Sequence, residues 1–499
     1  MNEKIRIFIL RITIVGGFLA LGYYYSWWFQ HGNLSSHWQV FWLMAAILYA
    51  GVQLVANWLL YWIARRPLAP PVLNEDMSVD VFITAYHEPI EMVKRSLQAA
   101  CGMSGKHDTW LLDDGADPAL AALAEFLGAG YLTRSDSTNA KAGNLNAALA
   151  HTSGDIIAIF DVDHVPNLDY LERTTGYFRN PRMGFVQVML TFSNSGDTWV
   201  AKAAAETSLD YYNPTSLGAD GIGGATLMGS NALIRRKALE SIGGYQPGLA
   251  EDLATSLALH AAGWQSAYVA EPLAPGLAPP DLAAWFTQQL KWARGVFELL
   301  LTDYPRLFQR LTWGQRLSYA VRMTKYWIGP AVFLHLFATI AILIFGGSYI
   351  RGIFHEYLLH ITPLVIMDVL IRFVALRAYR HESTPSTSLV RAVTLVYATW
   401  PIYLTAWVMS ILRLPLGFRP TPKNVSGGLN PLWLLPQILA VGFLIFGILY
   451  TVLVIGHPVS LLLAFAIIQG ILQLLLLARW LHLEFTVRKK VPSYVAEVK

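Results

Sequence analysis

Residues 155–166 read Asp155-Ile156-Ile157-Ala158-Ile159-Phe160-Asp161-Val162-Asp163-His164-Val165-Pro166. A short apolar run between polar bounds, rich in β-branched residues, reads as a strand buried on both faces. It ends on two carboxylates and an imidazole. Outward from it the pattern alternates. Val79 to Ala85 reads as a strand, Pro89 to Leu97 as a helix, and Trp110 to Leu112 as a short strand running into Asp113-Asp114-Gly115. Asn144 to His151 reads as helical. Strands separated by helices imply an α/β domain with a mostly parallel sheet. Ligands of such sheets bind beyond the carboxyl ends of the strands. The clusters 86–88, 113–115 and 161–164 all fall there, so they are expected to converge on one site.

The rest of the chain is different in kind. Of 499 residues, 54% are hydrophobic and 14% charged, where a soluble protein carries about 25% charged residues. That composition excludes a disordered chain, an ordinary soluble enzyme and a nucleic-acid-binding protein, and a net charge of +4 implies no polyanionic partner. Between residues 66 and 310 lie 27 of the 33 Asp and Glu. A water-soluble domain is thus set into a membrane protein. The single cysteine, Cys101, excludes a disulfide framework and reads as a small buried residue.

A bilayer core needs about 20 apolar residues as helix. Six stretches qualify: 6–28, 38–63, 326–346, 353–376, 431–455 and 458–481. Basic residues (Lys4, Arg6, Arg11, Arg65, Arg66, Arg372, Arg377, Arg380, Arg479, Arg488) gather at one set of ends. The positive-inside rule then puts both termini and the soluble domain in the cytoplasm, with the chain multi-pass in the plasma (inner) membrane. The apolar stretch 388–412, with Arg391, Trp400 and Pro401, reads as a helix lying at the interface, a seventh span being the alternative. The basic, amphipathic segment 304–325 is expected on the same surface. Asp368 and Arg372 read as an i,i+4 pair near the interface.

Each polar cluster has a chemical and a plain reading. Asp161 and Asp163 suit a hard divalent cation that binds phosphate oxygens, and also suit a polar strand end. Asp113-Asp114-Gly115 is equally a solvated turn. Asn139-Ala140-Lys141-Ala142-Gly143-Asn144 suits a phosphate at a helix N-terminus, or simple capping. Glu251-Asp252 opens a helix, where carboxylates are favourable in any protein, and offers a general base. In Gln288-Gln289-Leu290-Lys291-Trp292, the indole could stack on a sugar and the lysine meet phosphate. An interfacial Trp beside basic residues is the alternative.

Taken in order, these motifs resemble the processive family 2 glycosyltransferases of the cellulose synthase type over about residues 78–425. The resemblance rests on Asp80 to Pro89, Leu112 to Gly115, Ala140 to Asn146, Asp161 to Pro166, Glu251-Asp252 (like the T-E-D motif), Gln288 to Trp292 (like Q-x-x-R-W) and Phe418 to Lys423 (like the F-x-V-T-x-K gating loop). It implies a GT-A-like catalytic domain inserted in an α-helical bundle of about six spans plus interfacial helices. The layout expected is two N-terminal spans in 1–65, the cytosolic domain in 66–305, an amphipathic segment in 306–325, a span pair in 326–376, an interfacial helix and gating loop in 377–429, a span pair in 430–483 and a cytosolic tail in 484–499. With that short tail, no cyclic-di-GMP-binding PilZ-like domain is expected to follow.

The departures are Ala250 for the T-E-D threonine, Lys291 for the Q-x-x-R-W arginine, His87 for an asparagine, Met228 for a cysteine and Pro420 for the loop valine. They touch the donor and acceptor edges and bear on sugar and linkage more than on reaction class. Lys in particular lacks the bidentate fork of Arg.

By the resemblance, Tyr86, Glu88, Asp113 and Asp114 would hold the nucleoside of a UDP-sugar, and Lys141 and Lys291 its diphosphate. Asp161, Asp163 and His164 would hold Mg²⁺ or Mn²⁺. Asp252, beside Glu251, would deprotonate the acceptor hydroxyl. Trp292, Gln288, Met228 and Gly229 would line the acceptor, and Thr421 and Lys423 would close over the donor. The product expected is a β-linked polysaccharide leaving through a channel of the last four spans, whose Trp and Tyr faces would stack on sugars. UDP-glucose is the leading donor. The partners expected are the nucleotide sugar, the growing glycan and the bilayer, with a periplasmic export partner left open. The alternatives are an enzyme adding one sugar to a lipid acceptor, and a transporter or channel with a cytosolic nucleotide sensor.

Overall fold

The structure, a computed structural model, describes residues 3–30, 38–66, 77–345, 354–381, 389–417, 421–423, 429–455 and 461–490. The α/β domain holds strands β1 (Val79–Ala85), β2 (Asp108–Asp113), β3 (Gly130–Leu132), β4 (Ile156–Asp161), β5 (Met183–Val188), β6 (Thr191–Phe192), β7 (Ala232–Arg235), β8 (Gln265–Val269) and β9 (Pro275–Gly276). Seven form one sheet in the order β3-β2-β1-β4-β7-β5-β8, and β6 pairs with β9. Only β7 runs antiparallel to its neighbours β4 and β5.

The apolar run 156–160 forms the centre of this sheet because it is buried on both faces. Ala158 and Phe160 pack with Val81, Ile83 and Leu111 on one side. Ile157 and Ile159 pack with Phe82, Leu112 and Phe185 on the other. This is the two-residue alternation of a strand. Register does the rest. Thr84 pairs with Asp161, and Ala85 with Asp113. The carboxyl ends of β1, β2 and β4 are therefore level.

The helices used below are α1 (Glu3–Trp28), α2 (Trp38–Ile63), α3 (Ile90–Cys101), α4 (Ala140–Leu149), α5 (Trp199–Asp210), α6 (Glu251–Ala261), α7 (Leu282–Leu301), α8 (Trp313–Thr324), α9 (Ile328–Phe345), α10 (Phe354–Tyr379), α11 (Leu389–Ala398), α12 (Trp400–Ile411), α13 (Leu435–Tyr450) and α14 (Leu461–Lys490). Among the described residues, six helical stretches are long and apolar enough to cross a membrane. α11 and α12 form a pair bent by 42°. Arg391 of α11 grips Glu206 of α5 through both carboxylate oxygens, and Trp285 Nε1 of α7 donates to Thr399 Oγ1 at the bend.

The segment 304–325 is not one surface helix. It breaks at Leu311, whose backbone is extended. A new helix, α8, starts on a capping box in which Thr312 and Gln315 satisfy each other's backbone N–H. From Trp313 the path runs through a short turn into α9, so this segment and the third apolar stretch form one continuous helical run to Phe345.

Asp368 and Arg372 pair as expected at 2.9 Å, within a larger network. Arg372 also meets Asp210 at 3.0 Å, Tyr61 donates to Asp210, and Trp58 Nε1 donates to Asp368. The network ties α2 and α10 to the end of α5 in the α/β domain.

Candidate functional site

Every residue given a catalytic, donor, acceptor or metal role in the sequence, except Asp113, lines one cavity of about 450 Å³ at the level carboxyl ends of β1, β2 and β4. Asp113 is fully buried beneath it. Its carboxylate accepts from Gly115 N, Asp117 N and the Tyr131 hydroxyl. Those bonds shape the turn that presents Asp114, which Arg134 clamps with two nitrogens at 2.6 and 2.7 Å. Arg134 was not singled out in the sequence.

Asp161, Asp163 and His164 present ligand atoms within 4.8 Å of one another. His164 Nδ1 lies 3.1 Å from Ala274 O. A carbonyl only accepts, so Nδ1 carries a proton there, and Nε2 is the ring atom left for a metal. Two carboxylates and an imidazole fit Mn²⁺ or Mg²⁺. The cluster attracts cations from the chain itself: Lys141 pairs with Asp161, and Lys423 Nζ sits 2.8 Å from Asp163 Oδ1.

Burial works against both carboxylates, but the cations outweigh it. Asp161 is held down to about 2 by Lys141, His164 and Lys423, and Asp163 is likewise lowered, chiefly by Lys423. The same pairs raise Lys141 and Lys423 against the effect of their own burial.

Lys141 owes its position to a strained turn. Asn139 and Ala140 both have positive φ, 61° and 43°, a region Asn tolerates better than most residues. The turn folds back over α4 so tightly that a Cβ on Gly143 would lie 2.0 Å from Thr138 O. Lys141 Nζ also donates to Gly229 O. Glu88 accepts from Tyr86 N at 2.5 Å, and burial pushes the Glu88 carboxyl up.

The opposite wall comes from the loop before β7. Buried Gln187 fixes it, donating to Ser230 O and accepting from Met228 N. Ser230 Oγ accepts from Asp161 N, joining this loop to the metal-type cluster. Gly229 has φ +88°. Glu251 and Asp252 open α6. Asp252 Oδ1 accepts from Leu253 N, and its Oδ2 lies 3.7 Å from Arg322 Nη2. Burial and the adjacent Asp252 charge push Glu251 up to about 7.

On α7, Gln288, Lys291 and Trp292 line the cavity, with Trp292 37% exposed. Burial lowers Lys291. A Cβ on Gly295 would meet Ala250 N at 2.7 Å, so glycine lets α7 close against α6. Thr421 and Lys423 reach the cavity from the segment after α12. Phe418, Arg419 and Pro420 of that motif lie outside the described residues.

A second cavity, of about 470 Å³, adjoins the first and shares Tyr211, Met228, Arg322, Lys325 and Val396 with it. It extends among α2, α8, α9, α10, α11 and α14, with Gln53, Asn57, His335 and Gln469 in its wall. The described wall draws on the second span as well as on α9, α10 and α14, and the aromatic rings among the described residues lining it are four tyrosines and His335. Trp27, Trp28, Trp58 and Trp480 are instead fully buried in helix packing. Indoles so placed fill gaps between helices, where their large faces bury most area.

Residues 77–295 match the profile described as glycosyltransferase like family 2. In fold, the chain resembles a mannosyltransferase from Pyrobaculum calidifontis solved with GDP-Man and Mn²⁺, at a TM-score of 0.50, 15% identity, 75% of this chain and 100% of that one. The α/β domain is a family 2 glycosyltransferase domain of GT-A-like fold.

Within that class, residues 236–378 match the profile described as cellulose synthase. A cellulose synthase catalytic subunit (UDP-forming) of Pseudomonas fluorescens is 35% identical over 338 residues, covering 65% of this chain and 45% of its own length. Cellulose synthase 1 of Komagataeibacter xylinus is 35% identical over 324 residues, covering 62% of this chain and 21% of its own length. The chain thus spans less than half the length of these relatives. The resemblance read from the motifs holds, and the chain is an integral membrane protein.

Proposed function

We propose that this protein is a processive, inverting glycosyltransferase. It polymerises a nucleotide sugar, UDP-glucose in the first instance, into a β-linked glycan and passes that glycan through the membrane. The observation that carries the reading is the junction of the two cavities: Asp252 Oδ2 and the Asp161–Asp163–His164 cluster face the first, which adjoins the second between membrane helices.

In the transfer, Asp252 accepts the proton of an acceptor hydroxyl. The hydroxyl oxygen bonds the anomeric carbon as its bond to the diphosphate breaks, and the nucleoside diphosphate leaves. A divalent cation at Asp161, Asp163 and His164 would stabilise that leaving group's charge. Lys141 and Lys291 stand on the diphosphate side, and Trp292 offers a face to the terminal sugar. Tyr86, Glu88 and Asp114 line the nucleoside end, and Thr421 and Lys423 cover it. Asp113 acts from beneath, by holding the turn. The docking of α11 and α12 on α5 and α7 supports an interfacial place for that pair. The basic flanks of the spans support a cytoplasmic catalytic domain and termini.

The test supplies membranes containing the protein with each labelled nucleotide sugar in turn and digests the product with linkage-specific glycanases. A long β-glucan from UDP-glucose is the expected product. A single-sugar glycolipid would overturn the processive reading, and transport without sugar transfer would overturn the enzyme.

A further inference from the structure

We propose that Arg322 is the positioning residue of Asp252, holding the carboxylate in register with the acceptor-side loop and with the helix that enters the membrane. The inference rests on the reading of Asp252 as the general base. Arg322 lies on α8, whose helical run continues toward Phe345. Its side chain is 17% exposed and sits where the two cavities meet.

Four groups fix the guanidinium. Nη1 donates to Thr226 Oγ1 and, at 3.1 Å, to Leu227 O. Nη2 faces Asp252 Oδ2 at 3.7 Å. The Tyr211 ring lies under the cation, 5.7 Å from its centroid. Thr226 and Leu227 directly precede the Met228-Gly229 wall. One planar cation therefore spans the acceptor wall and the base, which a flexible ammonium would do less rigidly.

The base needs such a holder. Its Oδ1 is engaged by the backbone of Leu253, so Oδ2 is the oxygen turned toward Arg322. That oxygen is also the nearest group to the open side of Gly229, where a Cβ would lie 3.9 Å away. Asp252 further shares its helix start with Glu251, and both are half-buried. Two adjacent carboxylates drawn out of bulk water do not both ionise cheaply. The cation stands beside Asp252, while the Glu251 carboxyl is pushed up toward holding its proton. Lys141 is committed elsewhere, to Asp161 and Gly229 O.

The test compares Arg322→Gln, Arg322→Lys and Asp252→Asn in the full chain in lipid nanodiscs. It measures kcat and donor KM, with binding of UDP plus Mn²⁺ by calorimetry. A base misplaced by about 1 Å loses roughly 100-fold in rate. Arg322→Gln is therefore expected to lose about that factor in kcat, with donor KM and UDP binding within twofold of wild type. Arg322→Lys is expected to recover about tenfold of the loss. Near-normal kcat in Arg322→Gln beside an inactive Asp252→Asn overturns this inference and leaves the base intact. Loss of UDP binding along with kcat in both Arg322 variants overturns it too, by making the residue merely structural. Full turnover in Asp252→Asn removes the base reading and this inference with it.

Discussion

Lys423 Nζ lies 2.8 Å from Asp163 Oδ1, joining two residues 260 positions apart. Asp163 is buried, and Lys423 is its chief source of opposing charge. A divalent cation binding there meets a lysine already in place. Lys423→Met should therefore tighten Mn²⁺ binding in the absence of nucleotide. A charged hydrogen bond of about 1.5 kcal/mol corresponds to roughly tenfold in affinity. Turnover should fall, because the same lysine covers the donor. Electron paramagnetic resonance titration with Mn²⁺ measures the first effect, and unchanged or weaker binding would show that the lysine does not compete.

Asp252→Asn keeps the shape of the side chain and removes its basicity. General base catalysis contributes about 10²–10⁴-fold. Transfer should drop by that range while UDP plus Mn²⁺ still binds, since Asp161, Asp163 and His164 are untouched. Wild-type turnover in this variant, measured by nucleoside diphosphate release, would defeat the assignment.

The Glu251 carboxyl, at about 7, is raised above its ordinary value by burial and by Asp252. A raised carboxyl means the folded state holds a proton that the unfolded chain has released. Its contribution to stability is full below the unfolded value near 4.5 and is lost as pH rises through about 7. In that window stability should fall by about 1.4 kcal/mol per pH unit from this group. Glu251→Gln should flatten that slope, which thermal unfolding between pH 5 and 8 would register. An unchanged slope would mean that another group carries it.

Much of this site was legible because its strands end where their apolar runs end. In β4 the change from Phe160 to Asp161 marks both the last buried residue and the first cavity residue. Register then brought the three polar clusters together, as sheet topology requires. What stayed hidden depends on direction rather than type. Asp113 and Asp114 are adjacent and alike, yet one turns under the sheet edge and the other toward the cavity. Arg322 sits in a basic, amphipathic stretch whose composition suits a membrane surface equally well. Only the packing of α8 against residues 226–227, distant in sequence, turns its guanidinium inward. The tryptophans are ambiguous for a related reason: an indole suits a sugar face and a helix–helix gap alike, and Trp58 and Trp480 fill gaps.

Gly143 offers the sharpest local test. The motif Ala140-Lys141-Ala142-Gly143-Asn144 reads as a phosphate-binding helix start, and its glycine has a specific steric cause. A methyl group there would lie 2.0 Å from Thr138 O and 2.4 Å from Arg134 Nη1. The first is backbone and cannot swing aside, so the turn 137–140 must move. Overpacking of this kind costs about 1–3 kcal/mol. The turn carries Lys141, and Arg134 also clamps Asp114. Gly143→Ala should therefore weaken UDP binding by roughly tenfold or more while leaving the membrane helices folded. Calorimetric titration with UDP and Mn²⁺, beside far-ultraviolet circular dichroism, measures both. Normal UDP affinity would mean that the turn does not position Lys141 for the diphosphate.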